Sequence, residues 1–112
     1  NRVPIAGTIE EIRYNPGKFL AAFNPKASMD NEQNIILINN GKTYVFVKQI
    51  AGLIARRIVC WPKKGDYYES GQRYGLIRFG SRVDILLPKT AKLSIACGDR
   101  VSGGKSIIGY LT

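Results

Sequence analysis

The reactive side chains of this sequence gather in two places. One is the stretch from Gly71 to Pro88, where Arg73, Arg78, Arg82 and Asp84 surround the pair Gly80-Ser81. The other is Arg56-Arg57, two guanidinium groups of the kind that grips phosphate bidentately. Adjacent strand residues point to opposite faces, so at most one of these arginines serves a given site. On residue type alone Ser81 is a polar residue after a turn glycine, and Asp84 is a strand carboxylate in reach of Arg82 or Arg56. The chain has no His and only two cysteines, Cys60 and Cys97. That removes the usual zinc ligand sets, Ser/His/Asp triads and Cys/His pairs from these 112 residues. Seventeen Lys and Arg against eight Asp and Glu give a net charge of +9, which attracts phosphates, anionic headgroups or acidic substrates without choosing among them.

Strands must position these residues. Apolar residues fall in short alternating or continuous runs of β-branched and aromatic character, punctuated by Gly, Asn and Pro, which is an all-β pattern. The expected strands are Gly7 to Tyr14, Ile35 to Ile38, Thr43 to Gln49, Leu53 to Trp61, Tyr74 to Phe79, Val83 to Leu87, Lys92 to Ala96 and Ser106 to Leu111. Asn39-Asn40-Gly41-Lys42 offers the positive-φ residues of a two-residue hairpin. Phe23 to Asn34, the longest polar stretch, reads as a surface loop. Ile50 to Ile58 reads as a buried strand, although its composition also suits a helical turn.

An internal repeat gives the architecture. Gly65-Asp66 is followed by Gly71-Gln72, and Gly98-Asp99 by Gly104-Lys105 at the same spacing, each pair running into an apolar strand. A fainter third copy leads from Pro4-Ile5-Ala6-Gly7 to Pro16-Gly17-Lys18. Two glycine turns and a strand form the hammerhead-like unit of lipoyl- and biotinyl-type carriers, so the expected fold is a flattened barrel-sandwich hybrid of one domain. Both cysteines sit in apolar stretches and read as small, buried, reduced residues. Trp61 reads as a core residue, with an interfacial belt of Trp61, Tyr67 and Tyr68 as the alternative. Lys63-Lys64, Lys89 and Lys92 read as solvated basic loops first and as membrane contacts second. No apolar run nears the ~18 residues that span a bilayer, and no signal pattern opens the chain, so a cytoplasmic, soluble or peripheral protein is expected.

The segment from Gly71-Gln72-Arg73-Tyr74-Gly75-Leu76-Ile77-Arg78 through Phe79-Gly80-Ser81-Arg82-Val83-Asp84 to Pro88 resembles the self-cleavage region of phosphatidylserine decarboxylases. The likeness is greatest to the short prokaryotic form, in which Phe-Gly-Ser-Arg-Val-Asp replaces the Leu-Gly-Ser-Thr of the longer form. Asn1 to Pro4, Tyr14 to Phe19, Asn24 to Ser28 with Asn31 to Asn34, and Gln49 to Val59 are similar to the family in order and spacing. Nearly the whole chain is therefore covered.

The resemblance implies a proenzyme. The Ser81 hydroxyl attacks the Gly80 carbonyl, which a glycine leaves unshielded, and the peptide becomes an ester. Elimination then leaves residues 1–80 as one chain and 81–112 as another, headed by a pyruvoyl group made from Ser81. That group is the implied cofactor, forming a Schiff base with the substrate amine and drawing off electrons while CO₂ departs. The implied reaction converts phosphatidylserine to phosphatidylethanolamine, with Arg56 and Arg57 as phosphate candidates and no metal. The implied partners are an anionic membrane surface, where the protein is peripheral, and further copies in a homo-oligomer, with no nucleic acid. The family's catalytic His lies immediately upstream of the position equivalent to Asn1, so these residues alone are expected to cleave slowly or not at all, with Asp84 as the first alternative base. Two other readings fit less well. A lipoyl- or biotinyl-like carrier needs a modifiable Lys where Gly80-Ser81 stand, and a nucleic-acid-binding β-barrel needs an alternation of basic and aromatic residues that no strand shows.

Overall fold

A computed structural model describes residues 1–17, 31–52, 57–78 and 81–111. Every regular element among them is a β-strand, in agreement with the all-β expectation. The strands are β1 (Gly7–Asn15), β2 (Gln33–Asn39), β3 (Tyr44–Ala51), β4 (Ile58–Cys60), β5 (Tyr67–Tyr68), β6 (Gly75–Ile77), β7 (Ser81–Leu86), β8 (Lys92–Leu93) and β9 (Gly109–Tyr110). They form a curled five-stranded antiparallel sheet of order β5-β1-β2-β3-β7 and two small hairpins, β4-β6 and β8-β9.

Alternation explains which face of the large sheet is buried. Residues opposite one another on neighbouring strands share a face. One row runs Ile12, Ile36, Val47, Ile85 and the next Tyr14, Asn34, Gln49, Val83. Ile36 and Val47 are fully buried, so these rows face the core, together with Ile9, Ile38 and Val45. A bulge between Ile9 and Glu11 keeps Ile9 and Ile12 on that side. Val3 and Tyr74 close the core from outside the sheet. The hairpin between β2 and β3 turns as expected. Gly41 has φ +94°, and Asn40 N donates to Thr43 O at 3.1 Å. The Asn40 side chain accepts the return bond from Thr43 N at 2.8 Å.

The turns of the repeat recur with matching backbone geometry and hydrogen bonds. Gly65, Gly71, Gly98 and Gly104 all have positive φ, at 95°, 81°, 91° and 76°. Lys63 N donates to Asp66 Oδ2 and Ala96 N to Asp99 Oδ2, both at 2.9 Å. Asp66 N returns to Lys63 O and Asp99 N to Ala96 O. The second turns match too, with Gln72 N on Glu69 O and Lys105 N on Ser102 O. Val59 pairs with Leu76 and Lys92 with Tyr110, so the second copy has gained one residue between its second turn and its strand. The faint third copy is matched at Gly17, with φ 55°, but not at Gly7. Gly7 opens β1 without positive φ, because its place is fixed by crowding: a Cβ there would meet Asn39 O at 2.5 Å.

Other expectations need correction. Residues 31–34 are buried and lead into β2, where a surface loop was expected; residues 23–30 lie outside the described residues. The strand expected over Leu53 to Trp61 is described only from Ile58 to Cys60. Cys97 is exposed rather than buried, and Trp61 is 52% exposed, because each lies in or beside a short hairpin with little to pack against. Both cysteines are free. No helix among the described residues is long and apolar enough to cross a membrane.

Candidate functional site

Ser81 opens β7, directly after the connection from β6, and Gly80 lies outside the described residues. Among the described residues β6 pairs with β4 and β7 with β3, so the two strands on either side of residues 79–80 belong to different sheets. Six register pairs, from Phe46↔Leu86 to Ala51↔Ser81, hold β7 in the ladder. Ser81 is therefore the first laddered residue of a strand rather than the apex of a hairpin.

The row that ends on Ser81 is polar at its other end. Ala51 N donates to Glu32 O at 2.9 Å, which extends the ladder one residue ahead of β2 and sets Glu32, Ala51 and Ser81 in line. Around this row Asn31, Glu32, Gln33, Asn34 and Gln49 are all buried. Their hydrogen bonds explain how. Asn31 Nδ2 donates to Ala51 O at 2.5 Å, and Asn34 Nδ2 to Gln49 Oε1 at 3.3 Å. Gln49 Nε2 donates to Asn1 Oδ1 at 2.9 Å and Val59 O at 3.2 Å. The Tyr14 hydroxyl donates to Glu32 Oε2 in a short bond. That bond, with burial and the carboxylate's charge, raises the Tyr14 pKa above its usual value. Burial likewise raises the Cys60 thiol, against a lowering by its hydrogen bond with Asn34.

Asp84 stands on the other face. Its register partner is Lys48, and Arg82 binds it through Nε at 2.8 Å and Nη2 at 3.3 Å. This is the paired strand carboxylate that the sequence admitted, which takes Asp84 away from the row of Ser81. Arg57 is exposed, and its carbonyl accepts Arg78 N at 3.3 Å; Arg56 lies outside the described residues. The described residues contain no group of three or more His, Cys, Asp or Glu able to hold a metal. Sequence reasoning missed Tyr14, Asn31, Glu32, Asn34 and Gln49. The available signal was the run Asn31-Glu32-Gln33-Asn34 abutting the apolar Ile35-Ile36-Leu37-Ile38, too many polar groups beside a core strand to be only loop.

Residues 1–109 match the family described as phosphatidylserine decarboxylase. The chain is 49% identical over 112 residues to the phosphatidylserine decarboxylase proenzyme of Geotalea uraniireducens, covering 99% of this chain and 53% of that protein. It is 50% identical over 113 residues to the proenzyme of Desulfotalea psychrophila, covering 99% and 52%. The corresponding values for Solibacter usitatus are 51% over 108 residues, 96% and 53%. The chain spans about half the length of the curated relatives it matches. No solved structure matches it.

Proposed function

The chain belongs to the phosphatidylserine decarboxylase family, and on that premise we propose that the protein carrying it is a self-processing carboxy-lyase. It would split between Gly80 and Ser81 and convert phosphatidylserine to phosphatidylethanolamine. The relatives' shared description as proenzymes supports the processing step. The observation that carries the reading is the position of Ser81 at the head of a fully laddered strand. A break before Ser81 severs a connection between two sheets, while six register pairs keep the new end of β7 docked on β3. The two pieces would stay together because the ladder, rather than the peptide bond, holds them.

A pyruvoyl group derived from Ser81 fits this setting. Its ladder partner Ala51 is fully buried and carries only a methyl group, and Asn31, Glu32 and Gln49 bring polar groups to the same end of a water-poor core. Such a group supplies an electron sink for the pair released when CO₂ leaves. The chain's own residues would do the rest: Asn31 and Ala51 fix the backbone beside Ser81, and Gln49 ties Asn1 to the same end. A base entering immediately before Asn1, as the resemblance expects, would arrive there. The exposed Lys63, Lys64, Lys89 and Lys92 suit a peripheral contact with anionic bilayers, each contributing about 1 kcal/mol near the surface. The test is CO₂ release from phosphatidylserine vesicles by the full-length protein and its Ser81→Ala variant. Release by the parent and none by the variant is expected; equal release by both contradicts the reading.

A further inference from the structure

At the polar end of the sheet one buried acceptor has no donor among the described residues. Asn31 donates to the backbone, Asn34 to Gln49, and Gln49 to the Asn1 side chain and the backbone. Glu32, only 5% exposed, spends Oε2 on the Tyr14 hydroxyl, while Oε1 is buried without a hydrogen-bond partner. The ion pairs among the described residues are Arg13–Glu11 and Arg82–Asp84, and neither reaches it. A carboxylate oxygen buried without donor or cation is costly, and it is stabilised when a ligand completes it. Glu32 also stands in the row of Ser81, two strand spacings or about 10 Å away, with the small Ala51 between them.

We propose that Glu32 Oε1 receives the primary ammonium group of the substrate. The inference rests on the reading of Ser81 above and adds the group that selects and deprotonates the amine. The ammonium donates an N–H to Oε1, and that proton then passes from nitrogen to oxygen. One cation and one carboxylate become a neutral amine, with its lone pair free for attack on a carbonyl carbon, and a neutral Glu32 acid. The Tyr14 hydroxyl on Oε2 fixes the carboxylate so that Oε1 remains the free acceptor. Headgroups that offer no polar hydrogen at this position, such as a trimethylammonium or one with hydrogen in place of the amine, leave Oε1 unsatisfied and are rejected.

The test needs no turnover. In full-length protein carrying Ser81→Ala, glycerophosphoserine and its analogue with hydrogen in place of the amino group are titrated calorimetrically, with and without Glu32→Gln. The parent is expected to bind the amine-bearing ligand at least about tenfold tighter, the size of one charge-assisted hydrogen bond. Glu32→Gln is expected to abolish that preference, and Glu32→Asp to restore part of it. In protein with Ser81 intact, Glu32→Gln should still split after Gly80 by denaturing mass, which separates amine recognition from processing. A preference that survives Glu32→Gln, a parent with no preference, or loss of splitting in Glu32→Gln overturns the proposal. Should Glu32→Gln not fold, Tyr14→Phe is the second variant: a severalfold loss of preference supports the assignment, and an unchanged preference overturns it. A parent that discriminates between the ligands but never splits contradicts the reading of Ser81 and leaves the ammonium site standing, so the two failures are distinguishable.

Discussion

Tyr74 in the first glycine-turn repeat is fully buried, while in the second repeat its counterpart Ile108 is half-buried and Leu93 and Val101 are 66% and 53% exposed, although the Gly-Asp turns of the two copies make the same hydrogen bonds. Leu93 corresponds to Cys60 and Val101 to Tyr68, both of which pack against the core. The cause is what each copy touches. The first is stitched to the N-terminal segment and β1: Val3 N bonds Gln72 O, Gly71 N bonds Val3 O, Gly65 N bonds Ile9 O and Ile9 N bonds Asp66 O. Turn geometry is therefore set by local chemistry, and burial by the neighbour that a repeat happens to find. Stability should concentrate in the first copy.

Gly75 and Gly109 break or sharpen this comparison most strongly. They are equivalent, and each presses on a carbonyl of its hairpin partner: a Cβ on Gly75 would stand 2.1 Å from Val59 O, and one on Gly109 would stand 2.6 Å from Lys92 O. Gly75→Ala is expected to cost about 3 kcal/mol, because the buried backbone cannot give way. Gly109→Ala should cost about 1 kcal/mol, since a two-pair surface hairpin can shift. Urea midpoints measure both, and equal losses would break the comparison.

Next in size are Gly65→Ala and Gly98→Ala. Their φ values are +95° and +91°, and nothing lies within 4 Å of an added Cβ, so only backbone strain is at stake. About 1 kcal/mol is expected at each, alike in the buried and the exposed repeat, by the same denaturation. A clear difference would show that burial reaches into the turns.

The smallest effect belongs to Tyr74→Phe. The Tyr74 hydroxyl is buried without a hydrogen-bond partner, so its removal should leave stability unchanged or raise it by up to about 1 kcal/mol. Burial raises the Tyr74 pKa above 10.0, so the folded state favours the protonated phenol. That contribution is complete below about pH 10 and is lost as pH rises toward the higher folded value. The parent should therefore lose stability above about pH 10 more steeply than Tyr74→Phe, as alkaline thermal melts would report.

Local features were the legible ones. The apolar run Ile35 to Ile38 and the alternating Val45 and Val47 named β2 and β3, Asn40-Gly41 named the hairpin, and the Gly-Asp spacing named both repeats, because each depends on residues close in sequence. Ser81 reads in the sequence as a residue of a tight turn after Gly80, and it stands instead as the first laddered residue of β7, because its partner Ala51 lies on a strand distant in sequence. The polar row was not legible either. Asn31 to Asn34 look like loop residues because sequence displays polarity and hides partners, and those partners, Tyr14, Gln49 and Ala51, come from other strands. Cys97 and Trp61 were misread for a related reason, since apolar neighbours in a short hairpin do not bury one another.

The most direct test of the account is a denaturing mass measurement of the full-length protein. The account predicts two species separated after Gly80, the second beginning at residue 81 with a pyruvoyl end and no free amino terminus, and a single intact chain for Ser81→Ala. An intact parent, a break at another position, or a folded Ser81→Ala protein that still splits after Gly80 would contradict it.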